Sequence, residues 1–211
     1  MTSKFSTTSW WLLMLGSLFI AGFSYRYLAP HPMIPPGIAA NLMAKPWIFV
    51  HAGAASTALL LGPFQFIARI RSKRPKLHRW MGRTYVVACL VGGVSGLFLA
   101  VGCTAGPVAR MGFGSLAACW LIANVQAWRL AMAGRYAEHR RWMVRSFAMT
   151  FAAVTLRIYL PIAPMLGYDF LPAYVAISWL AWVPNLMVAE LYLNRAGLRR
   201  RPSPSRTPVA P

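Results

Sequence analysis

Long apolar segments separated by short polar ones dominate the pattern of the chain. Each is about 20 residues long, the length that a helix needs to cross a hydrocarbon core roughly 30 Å thick. The pattern predicts an all-α fold, a polytopic membrane helix bundle in residues 1–198, followed by a disordered basic cytoplasmic tail in residues 199–211. The six predicted transmembrane helices are residues 10–28, 47–68, 80–102, 112–131, 146–164 and 173–193.

The composition favours a membrane protein over a soluble one. Apolar residues make up 58% of the 211 residues and charged residues only 12%, at a mean hydropathy of +0.50. Too few polar side chains remain to cover a surface that faces water, so the lipid bilayer is the expected partner of most of the surface. The net charge of +19 could indicate nucleic acid, but the basic residues lie between apolar runs, which argues against a nucleic-acid-binding protein.

The positive charges collect on one side of the predicted membrane. Lys4 precedes the first span, and Lys and Arg cluster between the second and third spans, between the fourth and fifth, and after the sixth. Short basic loops stay in the cytoplasm, so both termini are predicted to be cytoplasmic and the protein is placed in the bacterial cytoplasmic (inner) membrane. The same clusters predict contact with anionic lipid headgroups. We call the end of the bundle that carries them the basic end.

An internal repeat covers the central four predicted helices. With one inserted residue, HRWMGRTY from His78 aligns with HRRWMVRSF from His139. Helices two to five are therefore predicted to be a duplicated helical hairpin. The alternative is that two basic loops converged on Arg and Trp, which are favoured at that depth. The two copies of the repeat are 61 residues apart in sequence. At this offset His78-Arg79 aligns with His139-Arg140, and Gln65 aligns with Gln126.

His78 and His139 are the first candidate site residues. They begin two helices on the same side of the membrane and share helix faces with small or polar residues. Two imidazoles that meet across a bundle are the axial ligands of a b-type haem, and small residues leave room for its flat macrocycle. The stripes that start at His51, His78, Gly112 and His139 are therefore expected to line one central space. The alternative for both histidines is a polar residue at a helix start, at headgroup level.

His51 and Arg157 are candidates at the opposite end. The repeat mate of His51 is Gly112, so a second haem would lack one ligand, and His51 could instead form a hydrogen bond within the bundle. Arg157 lies well inside the fifth helix, where an unpaired guanidinium costs about a few kcal/mol. It could contact a haem propionate, a quinone or lipid headgroup oxygen, backbone carbonyls or Asp169, or reach the interface by snorkelling. Glu190 is expected to pair with an arginine of the basic loops.

Several motifs connect the chain with a known family. They are His51 at the start of the second span, LLLGPFQF from Leu59, LHRWMGRTYV from Leu77, EHRRWMVRSF from Glu138 and TLRIYLP from Thr155. As a set they resemble a family of bacterial multi-pass membrane proteins of unknown function, and this resemblance implies membership without a particular activity. More loosely, the four helices with repeat-related histidines look like the di-haem cytochrome b type of four-helix membrane proteins, although Gly112 stands where that pattern has a ligand.

Three functions follow from these features. The first is a haem b-binding transmembrane electron carrier or quinone-linked redox protein, with His78 and His139 as axial ligands and a quinone or redox protein as partner. The second is a small-solute transporter, in which only Pro63 and Pro161 are candidate helix interruptions. Its path would be lined by Gln65, Asn124, Gln126 and Arg157. The third is a non-catalytic accessory subunit. No residues for hydrolase or phosphotransferase chemistry are recognisable, and whether the protein is an enzyme stays open.

Overall fold

The regular structure is helical throughout the residues that the computed structural model describes, which are 7–32, 34 and 36–198. The predicted tail at 199–211 lies outside these residues. Short 3₁₀ turns follow two of the helices, at Tyr25–Leu28 and at Pro63–Phe66. The helices are α1 (Thr7–Ser24), α2 (Pro36–Ala39), α3 (Ala44–Leu61), α4 (Ala68–Lys73), α5 (Pro75–Val101), α6 (Pro107–Met132), α7 (Tyr136–Thr150), α8 (Ala152–Met165), α9 (Phe170–Leu180) and α10 (Val183–Leu198).

Six helical segments are long and apolar enough to cross a membrane, which confirms the predicted membrane helix bundle. Each overlaps one predicted span. The largest difference is at the fifth, which begins at residue 136 rather than 146, because the helix continues through the basic residues beyond its apolar part. The segments are Thr8–Leu28, Ala44–Phe66, Pro75–Val101, Pro107–Met132, Tyr136–Met165 and Phe170–Arg195.

The fifth and sixth segments each consist of two consecutive helices. The sixth is interrupted between α9 and α10 because Pro184, at the start of α10, has no N–H group to continue the helix. The fifth is interrupted at Phe151, with no Pro or Gly at the joint. Pro161 lies inside the continuous α8, so the expected interruption there is wrong, whereas Pro63 does begin a 3₁₀ turn after α3.

The two joints lie side by side and share their hydrogen bonds. The hydroxyl of Thr155 in α8 donates to the carbonyl of Ala181, and Asn185 Nδ2 donates to the same carbonyl at 3.0 Å. Asn185 Nδ2 also lies 3.2 Å from Thr155 Oγ1. A carbonyl at a helix break inside a membrane needs such partners, because hydrocarbon supplies none.

The four helices of the predicted repeat form the centre of the bundle. Helix α5 packs against α3 and α6, and α7 packs against α6 and also contacts α3. Helix α1 covers α3, α9 covers α6, and α10 covers α7. The first and sixth segments therefore flank the central four helices.

A buried polar network joins α5, α6 and α7 at the centre. The Tyr85 hydroxyl lies 2.8 Å from Ser146 Oγ and 2.9 Å from Thr150 Oγ1. Trp120 Nε1 donates to Thr150 Oγ1 at 3.0 Å, and Ser146 Oγ donates to Asn124 Oδ1 at 3.0 Å. Tyr85, Ser146 and Asn124 are each 0% exposed. The polar atoms of three helices thus satisfy one another within the apolar interior.

The small residues of the four stripes face one another, but neighbouring side chains fill the space between them. A Cβ atom built on Gly92 would lie 3.1 Å from the Trp120 ring, and one on Gly96 would lie 3.4 Å from the His51 ring. Residues of all four stripes, among them Ala58, Cys89, Ala123 and Met143, do meet in one buried cluster, and side chains fill it. The glycines serve close packing of α3, α5 and α6.

Gly112 lies directly beneath α9. A Cβ atom there would overlap the Ser178 side chain and lie 3.0 Å from Trp179 Nε1. The sixth segment occupies the space into which any side chain at position 112 would project. This explains why the repeat mate of His51 is a residue without a side chain.

We expect Gly112→Ala to lower the thermal unfolding midpoint of the detergent-solubilised protein, because the added methyl group must push α9 away from α6. Overpacking of this kind costs about 1–3 kcal/mol. Gly114→Ala is the matched control on the same helix, since its Cβ would meet Ala100 Cβ at an ordinary 3.8 Å. That change should be neutral or slightly stabilising. Equal midpoints for the two variants would contradict the described packing of α9 on α6.

We expect Tyr85→Phe to destabilise the protein by about 1–3 kcal/mol, because Ser146 and Thr150 lose a shared partner in a place that water does not reach. The control is Tyr168→Phe, since Tyr168 is 65% exposed and should tolerate the loss of its hydroxyl. Chemical or thermal unfolding in one detergent measures both variants. A Tyr85→Phe protein as stable as the control would show that the network contributes little.

Candidate functional site

The two histidines of the repeat lie at the basic end, in equivalent places. His78 is the fourth residue of α5 and His139 the fourth residue of α7. Both side chains are half-buried, and the two rings are close enough to interact electrostatically. The structure therefore places both histidines at the same end of the bundle, within electrostatic range of one another.

The ring of His139 is held in one orientation. Its Nδ1 lies 2.8 Å from the carbonyl oxygen of Ala127 in α6. A carbonyl only accepts hydrogen bonds, so Nδ1 carries the proton and Nε2 keeps a free electron pair. A histidine that binds a metal through one nitrogen commonly donates its other N–H to a backbone carbonyl in this way.

His78 contributes a buried nitrogen that has no partner. Its Nδ1 forms no hydrogen bond with the described residues, and Arg71, Arg79 and His139 lie within electrostatic range of the ring. Gln65 Nε2 is a second buried polar atom without a described partner. A Cβ atom built on Gly82, one turn after His78, would lie 3.2 Å from Gln65 Oε1. Two of the three buried side-chain atoms that lack a partner among the described residues therefore lie at the basic end, and the third is Trp182 Nε1 between α9 and α10.

His51, at the opposite end, forms a hydrogen bond within the bundle. Its Nδ1 lies 2.9 Å from the carbonyl oxygen of Gly92, to which Ser95 Oγ also donates at 3.1 Å. Gly92 and His78 are 14 residues apart along α5, about 21 Å. His51 therefore belongs to a different site from the pair at the basic end, and its hydrogen bond is one of the two roles that the sequence left open.

Arg157 lies in α8 in the same half of the bundle as His51. Its Nη1 donates to the carbonyl of Ala153 at 3.0 Å, and its side chain is half-buried. Electrostatic interactions connect it with His51, Arg26 and Tyr27. The sequence suggested several partners for the Arg157 guanidinium, and the structure shows one of them, a backbone carbonyl, that of Ala153. Neither of the ion pairs between described residues involves Arg157.

The residues expected to line a solute path do not form one site. Asn124 belongs to the central network, and Gln65 lies beside α5 near His78. Gln126 lines a cavity of about 180 Å³ at the basic end, together with Arg129 and Arg135. Arg157 lies at the opposite end, so the four side chains are distributed over the whole bundle.

Glu190 pairs with an arginine near the basic end, as predicted. Both carboxylate oxygens accept hydrogen bonds from Arg145, with Arg145 Nη2 at 2.9 Å from Oε2. The Arg145 guanidinium also lies over the Trp142 ring, 4.9 Å from its centroid. The Arg145–Glu190 pair joins α10 to α7.

Trp120 is a core residue that sequence reasoning missed. The sequence of an apolar helix does not indicate which indole N–H will meet a buried hydroxyl.

Comparison with known proteins places the chain in a family. A family model described as Predicted membrane protein (DUF2306) matches residues 48–193. No curated protein and no solved structure matches the sequence. The matched residues run from α3 into α10 and include His51, His78, His139 and Arg157. Since the match covers well over half of the sequence, the chain belongs to this family of membrane proteins of unknown function.

Proposed function

We propose that the protein is a transmembrane electron carrier that binds a b-type haem at the basic end, with His78 and His139 as its axial ligands. One observation carries this proposal. Two repeat-related histidines lie within electrostatic range of one another, and the ring of His139 is held through Nδ1 so that Nε2 is free. This is the ligand arrangement that bis-histidine haem proteins use.

The number of ligands also favours haem over a bare metal ion. Zinc in proteins takes four ligands, and copper sites also combine several side chains. Within residues 7–32, 34 and 36–198, no group of three or more His, Cys, Asp or Glu side chains could hold such an ion. A haem iron needs only two ligands from the protein, because the porphyrin supplies four nitrogens.

The surroundings of the histidines suit the charge of a haem. Arg71 and Arg79 lie within electrostatic range of His78, and their guanidinium groups would pair with anionic propionates. Tyr85 and Trp120 fill the core, so the macrocycle would lie towards the basic end, where both histidines are half-exposed.

When bound, haem supplies one-electron exchange without proton transfer. The residues of the chain would set its properties. The Ala127 carbonyl fixes the tautomer of His139, and the nearby arginines favour the electron-rich state, which raises the reduction potential. A quinone in the bilayer or a redox protein would exchange electrons with this site.

We expect the detergent-purified protein from haem-replete cells to show the α-band of a b-type haem in a dithionite-reduced minus oxidised spectrum. His78→Ala and His139→Ala should each abolish it, because one axial ligand no longer holds the bis-histidine state. His31→Ala is the matched control, since His31 is exposed in a loop at the opposite end, and it should keep the band. His51→Ala should keep it as well.

A colourless wild-type protein would end the electron-carrier proposal. A band that survives in both His78→Ala and His139→Ala would move the haem to other ligands and would equally refute the assignment. A change of the bis-histidine signal in electron paramagnetic resonance spectra separates loss of a ligand from loss of folded protein.

We also infer that the basic end faces the cytoplasm of a bacterial cell, with both termini on that side. The support is the charge pattern, since Arg and Lys side chains concentrate in α4 and in the first turns of α5 and α7. Anionic headgroups of that leaflet would contact the same side chains.

Cysteine labelling of intact cells tests this orientation. We expect a membrane-impermeant maleimide to label Tyr168→Cys and not Ala133→Cys, because the two positions lie in exposed turns at opposite ends of the bundle. The wild-type protein is the control, since Cys89 and Cys103 are buried and Cys119 is partly buried. Permeabilised cells should label both variants, and the reverse pattern in intact cells would invert the topology.

A further inference from the structure

At the end of the bundle opposite the basic end, Arg26 and Arg157 form no ion pair with a carboxylate of the described residues. Arg26 follows α1 and Arg157 lies in α8, within electrostatic range of one another. The chain has three acidic residues. Glu138 and Glu190 are engaged by arginines near the basic end, and among the described residues no ion pair includes the third, Asp169. Two like charges therefore share a region that lacks a counter-charge from the protein.

Arg157 has more hydrogen-bond donors than the described residues use. A guanidinium carries five N–H groups in a planar fork, and Arg157 uses one for the carbonyl of Ala153. None of its nitrogens is a buried atom without a partner, so the remaining donors keep some exposed surface. An accessible guanidinium fork in a half-buried position matches the oxygens of a phosphate group.

Arg26 is held close to the same region by aromatic rings. Its guanidinium carbon lies 3.9 Å from the centroid of the Phe23 ring and 5.2 Å from that of the Tyr27 ring. Tyr27 is buried and lies within electrostatic range of Arg157. The rings keep the charge of Arg26 near the bundle instead of letting the side chain extend into water.

The neighbouring surface is apolar. Phe23 in α1 and Ile158 in α8 are 43% and 45% exposed, and each lies close in sequence to one of the two arginines. In a bilayer such side chains contact acyl chains. A ligand that binds here should combine an anionic group for the two arginines with apolar chains for the surrounding surface. A phospholipid has both, since its phosphate is anionic and its acyl chains are apolar. A neutral quinone would leave both charges without a counter-ion.

We propose that Arg26 and Arg157 bind the phosphate group of a phospholipid at the end of the bundle opposite the basic end, where α1 and α8 meet. The site does not depend on the haem proposal, since it shares no residue with His78 or His139. Bound in this way, the lipid would join the first transmembrane segment to the fifth. The same phosphate chemistry could be supplied by free inorganic phosphate, so the experiment includes both sources.

Thermal unfolding and native mass spectrometry of the full-length protein in detergent test the site. Dioctanoyl phosphatidylglycerol is expected to raise the unfolding midpoint of the wild type, and dioctanoylglycerol, which lacks the phosphate, is not. Arg157→Gln should weaken the apparent affinity for the phospholipid about tenfold, the effect of losing one charge-assisted hydrogen bond. Arg26→Gln should weaken it in the same direction and gives a second test if Arg157→Gln does not fold.

The matched control is Arg140→Gln, which removes an exposed arginine at the basic end. It should change the apparent affinity less than twofold, because that end has many other cations. If inorganic phosphate stabilises the wild type but not Arg157→Gln, and the phospholipid adds nothing, the site binds phosphate from solution. If both arginine variants respond to both probes as the wild type does, the proposed site does not exist.

Discussion

Hydrocarbon offers no hydrogen bonds, and this constraint determines how the interior of the protein is built. Every polar group that lies between the helices must find a partner on another helix or on its own backbone. The hydroxyls of Tyr85, Ser146 and Thr150 meet the indole N–H of Trp120 and the amide of Asn124 within one buried network. Because these side chains belong to α5, α6 and α7, the network determines how the three central helices pack. The ends of the bundle, where polar atoms without partners and unneutralised charges occur, are left for ligands.

The two candidate sites differ in what they lack. At the basic end the shortage is of hydrogen-bond partners, since His78 Nδ1 and Gln65 Nε2 are buried without one. At the opposite end the shortage is of negative charge, since Arg26 and Arg157 have no carboxylate within reach among the described residues. We propose a metal-bearing macrocycle as the ligand at the basic end and a phosphate as the ligand at the opposite end. Each proposed ligand thus supplies what its site lacks, which is a partner for buried nitrogen atoms at one end and negative charge at the other.

Sequence reasoning succeeded where one physical quantity decides the outcome. Apolar length gave all six membrane spans, and the scarcity of acidic residues made the pairing of Glu190 with an arginine foreseeable. It failed where the outcome depends on neighbours that only the fold brings together. The joint at Phe151 has no Pro or Gly from which it could be predicted. The small-residue stripes do not indicate that Trp120 fills the space beside Gly92. The repeat indicates His78 and His139, but the hydrogen bond between His139 and the Ala127 carbonyl depends on how α6 and α7 pack.

The position of Gly112 beneath α9 makes the two halves of the predicted repeat different from one another. Two identical copies would present the same surfaces, and a sixth helix that packs on only one of them destroys that equivalence. Once Ser178 and Trp179 rest on Gly112, no imidazole can be restored there unless the whole helix moves. A single substitution therefore cannot return the protein to twofold symmetry. Packing thus maintains this asymmetry, and descendants of this chain can gain a side chain at position 112 only by rebuilding an entire helix interface.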